Sequence, residues 1–184
     1  MFEKLLSALG ASLQRQGLPY MIIGGQAVLL YGEPRLTRDI DVTLGVNIDR
    51  IHDLLSIVKE LALTPLPEDI ESFVRQTMVL PTLEPSTGIR VDFIFSFTPY
   101  ETEAIKRATK RVLMGKEVCF ASPVDLIIHK IFAGRPRDLE DVRSVLLKQP
   151  NIDTLYIEKW LREFDASSGS SHFLETFEES LREL

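Results

Sequence analysis

The sequence predicts an α+β fold, in which a small mixed β-sheet is flanked by helices and followed by a short helical C-terminal part. Strand-like and helix-like stretches alternate up to about residue 120, and only helix-like stretches follow. The 184 residues, 45% of them hydrophobic, suit one compact unit. We therefore expect a sheet domain with an N-terminal helix over 1–121 and a helical part over 122–184 that packs on it.

In the first half of the chain, the spacing of apolar residues alternates between that of helices and that of strands. Apolar residues from Phe2 to Leu13 recur at helical spacing, and Gly17 follows as a stop. The next predicted elements are a buried strand (20–24), a short helix closed by Gly32 (25–32), a polar loop (33–38), an alternating strand (39–45) and an amphipathic helix (48–63).

The second half begins with β-prone stretches and ends with helices. The predicted elements are a strand (73–80), a turn (84–88), a strand (89–96), a helix that starts at Thr98 and Pro99 (98–110) and a hairpin (111–120). Ser122 as cap, Pro123 at the first position and Gly134 at the end predict the next helix. Two helices (136–149 and 153–165), a flexible joint (167–171) and an acidic final helix complete the chain.

Composition excludes several classes of protein. The formal net charge is −6 and the pI about 5.2, so binding of nucleic acid through the whole surface is not expected. The single cysteine, Cys119, excludes a disulfide framework and fits a reducing cytoplasm. The charged amphipathic N-terminus is unlike a signal peptide, and no stretch is long and apolar enough to span a membrane.

Two aspartates stand two positions apart in the predicted strand 39–45. The side chains of Asp39 and Asp41 therefore point to one face of the sheet and repel one another, a penalty that a divalent cation such as Mg²⁺ removes. A third acid, Asp92, lies in the strand 89–96. If the two strands are neighbours, the three carboxylates fit a two-metal phosphoryl-transfer site. The alternative is that the acids face solvent from an edge strand.

A glycine pair, Gly24 and Gly25, falls where a predicted strand ends and a helix begins. Glycine lets a ligand approach the backbone, and a helix start offers free N–H groups, so the pair suits a phosphate cradle. A simple turn is the alternative. The pattern is neither a dinucleotide fingerprint nor a P-loop, because G-x-G-x-x-G and G-K-[ST] are both missing here.

One pattern in the chain resembles the signature of the nucleotidyltransferase superfamily that includes DNA polymerase beta. The pattern is the glycine pair, thirteen further residues, D-I-D and a later strand aspartate. The segment HKIFAGRPRDLEDV is similar to the AbiEii-type branch, whose best-known members are toxins of bacterial toxin–antitoxin pairs. The resemblance covers roughly residues 18–145. Its matches are Gly24, Gly25, Asp39, Asp41, Asp92, Lys130, Arg137, Asp138 and Asp141.

The resemblance implies a nucleotidyltransferase fold and the transfer of an NMP from an NTP to an acceptor hydroxyl, with Mg²⁺ or Mn²⁺ as cofactor. It implies that the glycine pair cradles the triphosphate and that Asp39 and Asp41 ligate the metal. Asp92 would complete the metal site and activate the hydroxyl, which attacks the α-phosphate as pyrophosphate leaves. Lys130 would contact the triphosphate, unless it only complements the dipole at its helix end.

Further nucleotide contacts are expected from Gln26, Arg38, Arg137 and Asp138. Many family members have Gly-Ser where this chain has two glycines followed by Gln26. Arg38 reaches substrate or is a solvated loop charge, and Arg137 contacts phosphate or pairs with an acid. Acids are favoured in the first turn of a helix in any case. We assign Asp138 to the site and Asp141 to the structure. His129 is expected to be a helix residue beside Lys130.

Charge along the chain bears on the partners. Residues 103–143 contain nine basic and six acidic residues, whereas 149–184 contain three basic and eight acidic. A locally basic face suits an RNA end such as tRNA, or the triphosphate alone. The alternative is that these basic residues form a solvated helix face. A protein acceptor and an antitoxin protein are the other expected partners. The alternatives are a nucleotidyltransferase-fold protein that binds nucleotide or a partner without catalysis, and a structural protein using its acidic C-terminal helix. The three acids favour an enzyme.

Overall fold

Strands from both halves of the predicted sheet domain join in one mixed sheet. The computed structural model describes residues 1–169 and 172–184. Within them the strand order is β3-β4-β5-β2-β1-β7-β6. The strands are β1 Tyr20–Ile23, β2 Asp39–Leu44, β3 Thr64–Pro65, β4 Val79–Glu84, β5 Ile89–Phe95, β6 Thr109–Leu113 and β7 Lys116–Phe120.

Helices precede, connect and follow these strands. They are α1 Phe2–Arg15, α2 Gly24–Tyr31, α3 Ile51–Glu60, α4 Ile70–Thr77, α5 Pro99–Lys106, α6 Pro123–Ala133, α7 Pro136–Lys148, α8 Thr154–Ser168 and α9 Phe173–Arg182, with a 3₁₀ turn at Ile48–Arg50 before α3. The α+β class, the sheet and the helical C-terminal part are thus confirmed. The division of the chain at residue 121 stays a prediction. None of the described helices combines the length and the apolar character that crossing a membrane would require.

The centre of the sheet brings the predicted acidic strands together. β2 pairs antiparallel with β1 and parallel with β5, and Asp41 lies directly beside Asp92 in the β2–β5 register. Along β2, Ile40, Val42 and Leu44 are fully buried, which leaves the aspartates on the opposite face. The expectation that these strands are neighbours is confirmed.

Helix α6 lies behind the site and illustrates how local signals set an element. The Ser122 side chain accepts a hydrogen bond from the Asp125 N–H, Pro123 is the first helical residue, and Gly134 ends the helix in the left-handed region. The helix buries Leu126, Ile127, Ile128 and Ile131 and contacts α2, α7, α8 and α9. Its start and end are those that the sequence predicted.

Three local predictions were wrong. The helix predicted over 98–110 ends at Lys106, and Thr109 and Lys110 already belong to β6. Residues 73–80 were expected to be a strand, but α4 covers the first part and β4 begins only at Val79. The Asp69 side chain caps α4 by accepting from the Ser72 N–H, and the left-handed Met78 turns the chain into β4. The predicted joint 167–171 also starts too early, because α8 continues through Ser168; residues 170 and 171 lie outside the described residues.

Candidate active site

The aspartates of β2 and β5 form the acidic part of the site. Asp39 is exposed at the start of β2, whereas Asp41 and Asp92 are partly buried side by side. Burial, and after it the charges of Asp39 and Asp92, raise the pKa of Asp41 from 3.8 to about 6. The structure thus holds Asp41 in a position where its ionised form is disfavoured until a cation joins it.

The glycine pair is required by close contacts with side chains of the loop and strand that follow. Gly24 has φ +63, and a Cβ on it would lie 2.0 Å from Oδ2 of Asp41. A Cβ on Gly25 would lie 2.3 Å from Oγ1 of Thr37. Thr37 in turn donates a hydrogen bond of 3.1 Å to Oδ1 of Asp39. The start of α2 and the two acids of β2 can share one space only because these positions have no side chain.

Five charged side chains form one group of ion pairs. Lys130 is on α6, Asp138 and Asp141 are on α7, Arg135 lies immediately before α7, and Arg35 lies in the loop 33–38. Lys130, which is 6% exposed, lies 2.6 Å from Oδ1 of Asp138 and 2.9 Å from Oδ2 of Asp141. Arg35 donates two hydrogen bonds, of 2.8 and 2.9 Å, to the carboxylate of Asp141, and Arg135 donates to Asp138. We call these residues the ion cluster: Arg35, Lys130, Arg135, Asp138 and Asp141.

The ion cluster favours the charged form of Asp138. Burial alone would raise the pKa of Asp138, but the hydrogen bonds from Arg135 and Lys130 bring it below its usual value. Three cations then surround two anions, so the cluster as a whole is positive. It also ties the loop 33–38 to α7 through the Arg35–Asp141 pair.

Acids, glycines and cations meet in a cleft of ≈ 540 Å³, which we call the basic cleft. Its basic side chains are Arg35, Arg38, Lys130, Arg135 and Arg137. Among the described residues, Arg38 and Arg137 have no carboxylate partner; Arg137 donates only to the Leu36 carbonyl, at 3.4 Å. These two guanidinium groups are therefore available to an anionic ligand.

Most residues assigned from the sequence meet here. Gly24, Gly25, Arg38, Asp39, Asp41, Lys130, Arg137 and Asp138 all line the basic cleft. Gln26 is buried and donates to the Asp39 carbonyl at 3.3 Å, and Asp92 accepts from Arg90 at 2.7 Å. Their contacts with nucleotide and metal, like the roles of the others, stay predictions. Sequence reasoning gave no role to Thr37 or Arg135; the hydroxyl two residues before Asp39 was the available signal for Thr37.

The donor set fits a hard divalent cation in part. Within residues 1–169 and 172–184, no group of three or more acidic, histidine or cysteine side chains is arranged to hold a metal ion by itself. Mg²⁺ at phosphoryl-transfer sites usually takes one or two carboxylates, with phosphate and water oxygens as its other ligands. Asp39 and Asp41 meet that need. Burial, and after it the charges of Asp39 and Asp92, raises the pKa of Asp41, and a bound cation would offset this penalty on its ionised form.

The family follows from the sequence as a whole. Residues 2–178 match the model of a family described as a nucleotidyltransferase of unknown function (DUF6036). The chain belongs to this family. The superfamily expected from the sequence is therefore confirmed for this nucleotidyltransferase, whereas membership of the AbiEii-type branch stays a prediction. A search of the curated proteins found no match.

Solved structures of the same fold include antibiotic-modifying proteins. The solution structure of the antibiotic-resistance factor ANT(2'')-Ia has a TM-score of 0.59 and 19% identity, covering 91% of this chain and 92% of that one. An antigenic nucleotidyltransferase-like protein from Paracoccidioides brasiliensis has a TM-score of 0.55 and 19% identity over 80% and 75%. The lincosamide adenylyltransferase LnuA has a TM-score of 0.50 and 11% identity over 72% and 89%. At these identities the likeness establishes the fold alone.

Gly24→Ala tests the close approach at the glycine pair. Gly24 and Gly88 both have positive φ, but a Cβ on Gly88 meets nothing within 4 Å. Both alanine variants should lose about 1–2 kcal/mol of unfolding free energy through the left-handed backbone. Only Gly24→Ala should displace the Asp41 carboxylate and abolish metal-dependent nucleotide binding in calorimetry. Equal nucleotide binding by the two variants would contradict the importance of this contact.

Proposed function

We propose that this nucleotidyltransferase moves an NMP from an NTP to an acceptor hydroxyl in a reaction that needs Mg²⁺ or Mn²⁺. The supporting observation is the close approach of Asp41 to Gly24 at the basic cleft, beside Asp39. Burial, and after it the charges of Asp39 and Asp92, raises the pKa of Asp41 to about 6. Crowded carboxylates destabilise a fold. A protein that only bound a partner would have no use for them, and a transfer assay distinguishes an enzyme from a protein that only binds a metal–nucleotide complex.

The basic cleft binds the triphosphate in this proposal. The first N–H groups of α2, exposed by the glycine pair, face phosphate oxygens, and Arg38 and Arg137 supply charge-assisted hydrogen bonds. Lys130 adds positive charge from the ion cluster, although its ammonium group already contacts two carboxylates. Asp39 and Asp41 would hold the metal, which would neutralise charge on the phosphates.

The transfer itself requires a nucleophile and a base. The acceptor oxygen forms a bond to the α-phosphorus while the bond from that phosphorus to the pyrophosphate oxygen breaks. The proton of the acceptor hydroxyl passes to Asp92, which lies beside Asp41 in register and is held by Arg90. Positioning and charge neutralisation account for most of the rate enhancement of such a transfer.

The proposal includes three kinds of acceptor and one biological role. An RNA end such as tRNA, a protein or a small molecule can each provide a hydroxyl. The small-molecule option is supported by two proteins of this fold: ANT(2'')-Ia, solved with adenylyl-2''-tobramycin, and LnuA, solved with lincomycin bound. A toxin role in the cytoplasm, with an antitoxin protein as partner, follows from the AbiEii-type resemblance of Lys130, Arg137, Asp138 and Asp141.

Nucleotide binding and transfer can be measured separately. Calorimetry with ATP, CTP, GTP and UTP, with and without Mg²⁺, should show metal-dependent binding of at least one nucleotide. Incubation with α-labelled NTPs and either total RNA or cell lysate should then label an acceptor. The double variant Asp39→Ala/Asp41→Ala should label nothing; labelling that persists in it would refute the assigned site. Metal-dependent binding without labelling of any acceptor would favour the alternative, a nucleotide-binding protein without catalysis.

Arg38→Gln and Arg137→Gln should each weaken ATP–Mg²⁺ binding by about 10-fold, because each removes a charge-assisted contact worth roughly 1.5 kcal/mol or more. The matched control is Arg75→Gln, since Arg75 is exposed on α4 and does not line the basic cleft. Calorimetry gives the dissociation constants. If the Arg38 and Arg137 variants bind as tightly as the Arg75 variant, these guanidinium groups do not hold phosphate.

A further inference from the structure

A second cleft, of ≈ 350 Å³, joins the basic cleft at Gly24 and Asp41. Its walls are largely apolar and are formed by Ile23, Ile94, Leu126, Phe132 and Ala133. Phe132 stacks on Phe173 with a ring separation of 5.1 Å. We call this space the apolar cleft. Its volume lies at the lower end of the range for small-molecule sites.

The floor of the apolar cleft continues the acidic face of the sheet. Asp41 and Thr43 project from the same face of β2, and the pair Thr43–Ile94 follows the pair Asp41–Asp92 in the β2–β5 register. Two residues along a strand span about 7 Å. A small molecule lying over Thr43 and Ile94 would therefore bring a hydroxyl within reach of Asp92 and of an α-phosphate at Asp41.

Two residues that line this cleft each carry a buried polar atom with no hydrogen-bond partner among the described residues. These atoms are Oγ1 of Thr43, a residue that is 1% exposed, and Nε2 of His129. A buried polar atom without a partner costs about 1–3 kcal/mol and calls for an explanation. Burial lowers the pKa of His129, so its imidazole is neutral near pH 7. Each of these two residues at the cleft thus carries a hydrogen-bonding group that no described residue uses.

The charged side chain that α5 contributes to the apolar cleft is negative and has no oppositely charged partner among the described residues. Lys130 and Arg135 reach it, but both are paired with Asp138 in the ion cluster. Glu101, at the start of α5, also lines the cleft, and no basic side chain within residues 1–169 and 172–184 pairs with it. A phosphodiester backbone needs unpaired cations. An ammonium group instead needs an unpaired carboxylate, which Glu101 provides.

We propose that the apolar cleft is the acceptor subsite and that it takes a small alcohol bearing an amine and an apolar body, rather than an RNA end. The amine lies at Glu101, the apolar body lies against Ile94 and Phe132, and Thr43 and His129 bond its polar groups. This inference rests on the proposed function. In the step it serves, the acceptor oxygen bonds to the α-phosphorus, pyrophosphate leaves and Asp92 takes the hydroxyl proton.

Binding of matched probes tests the subsite without requiring transfer. Saturation-transfer NMR would be recorded on the full chain with Mg²⁺ and a non-transferable α,β-methylene ATP. The probes are phenylalaninol, which has ring, amine and hydroxyl; 3-phenyl-1-propanol, which lacks the amine; and an RNA oligonucleotide ending in CCA. We expect phenylalaninol to bind about 10-fold or more tightly than phenylpropanol, as one ammonium–carboxylate contact would give. The RNA should not bind.

Two variants identify the groups responsible. Glu101→Gln should abolish the preference for the amine, whereas Glu103→Gln, an exposed acid two positions further on α5, should keep it. Thr43→Val should weaken the binding of both alcohols about 5-fold. It should also raise the melting temperature of the free protein, because it removes an unpartnered buried hydroxyl. A structural role for the hydroxyl would lower the melting temperature and leave the binding of both alcohols unchanged, and would overturn the part assigned to Thr43.

The remaining outcomes separate the inference from the function on which it rests. Equal binding of the two alcohols, no binding of either, or binding of the RNA alone would overturn the inference, while binding of the ATP analogue in the same samples would leave the proposed function standing. Failure of the wild-type chain to bind the ATP analogue with Mg²⁺ would instead contradict the proposed function itself.

Discussion

Asp41→Asn is expected to abolish nucleotidyl transfer and, at the same time, to stabilise the fold. Loss of one metal-binding carboxylate removes several kcal/mol of transition-state stabilisation, which corresponds to a fall in rate of about 10³-fold. The same change removes a charge that burial and two neighbouring acids disfavour. Labelled-NTP transfer measures the first effect, and denaturant unfolding measures the second.

The stabilisation depends on pH in a defined direction. The unfolded chain ionises this aspartate near pH 3.8, whereas the folded wild type does so only near pH 6. Above pH 6 the wild type therefore carries a charge that costs up to about 2–3 kcal/mol of unfolding free energy, which the variant lacks. Below about pH 4 both states of the wild type are protonated. The advantage of the variant should then disappear.

A metal titration and a matched variant complete this test. Mg²⁺ should raise the melting temperature of the wild type, because it relieves the repulsion between Asp39 and Asp41, and should have less effect on Asp41→Asn. Asp49→Asn removes an exposed acid far from the basic cleft and should change neither stability nor transfer. A destabilised Asp41→Asn at pH 8 would show that the carboxylate is not strained.

Of the proposed substitutions, Lys130→Met is expected to cause the largest loss of unfolding free energy. It removes the cation between Asp138 and Asp141, which are 2% and 4% exposed, and leaves buried negative charge. Breaking one partner of a buried ionic group typically costs about 3–5 kcal/mol. We expect the lower end, since Arg35 and Arg135 still contact the two carboxylates. Denaturant unfolding at pH 7 gives the value.

A double-mutant cycle distinguishes lost pairing from lost packing. Asp138→Asn in the Lys130→Met background should restore part of the stability, because it removes one of the carboxylates left without its cation. Lys59→Met, at an exposed lysine of α3 with no acidic partner among the described residues, serves as the matched control. A cycle without coupling between Lys130 and Asp138 would contradict the described ion cluster.

Prediction from sequence succeeded where the controlling interactions are local. The cap at Ser122, the helix stop at Gly134 and the alternation in 39–45 depend on neighbours within a few residues, and the structure agrees with each. It failed at 73–80, where apolar residues suggested a strand. There the cap at Asp69 and the left-handed Met78 set the boundary, and β4 was selected by its pairing with β5.

For the site, the sequence by itself determined the family and the order of the glycine pair, the acid pair and the lone Asp92, because these are patterns of residue type and spacing. Only the tertiary structure decided how distant charges pair and which polar atoms stay without partners. Arg35 and Asp141 are 106 positions apart, yet they join the loop before the acids to α7. The apolar cleft likewise depends on residues of β2, β5, α5 and α6 lining one space, and no spacing along the chain encodes that arrangement.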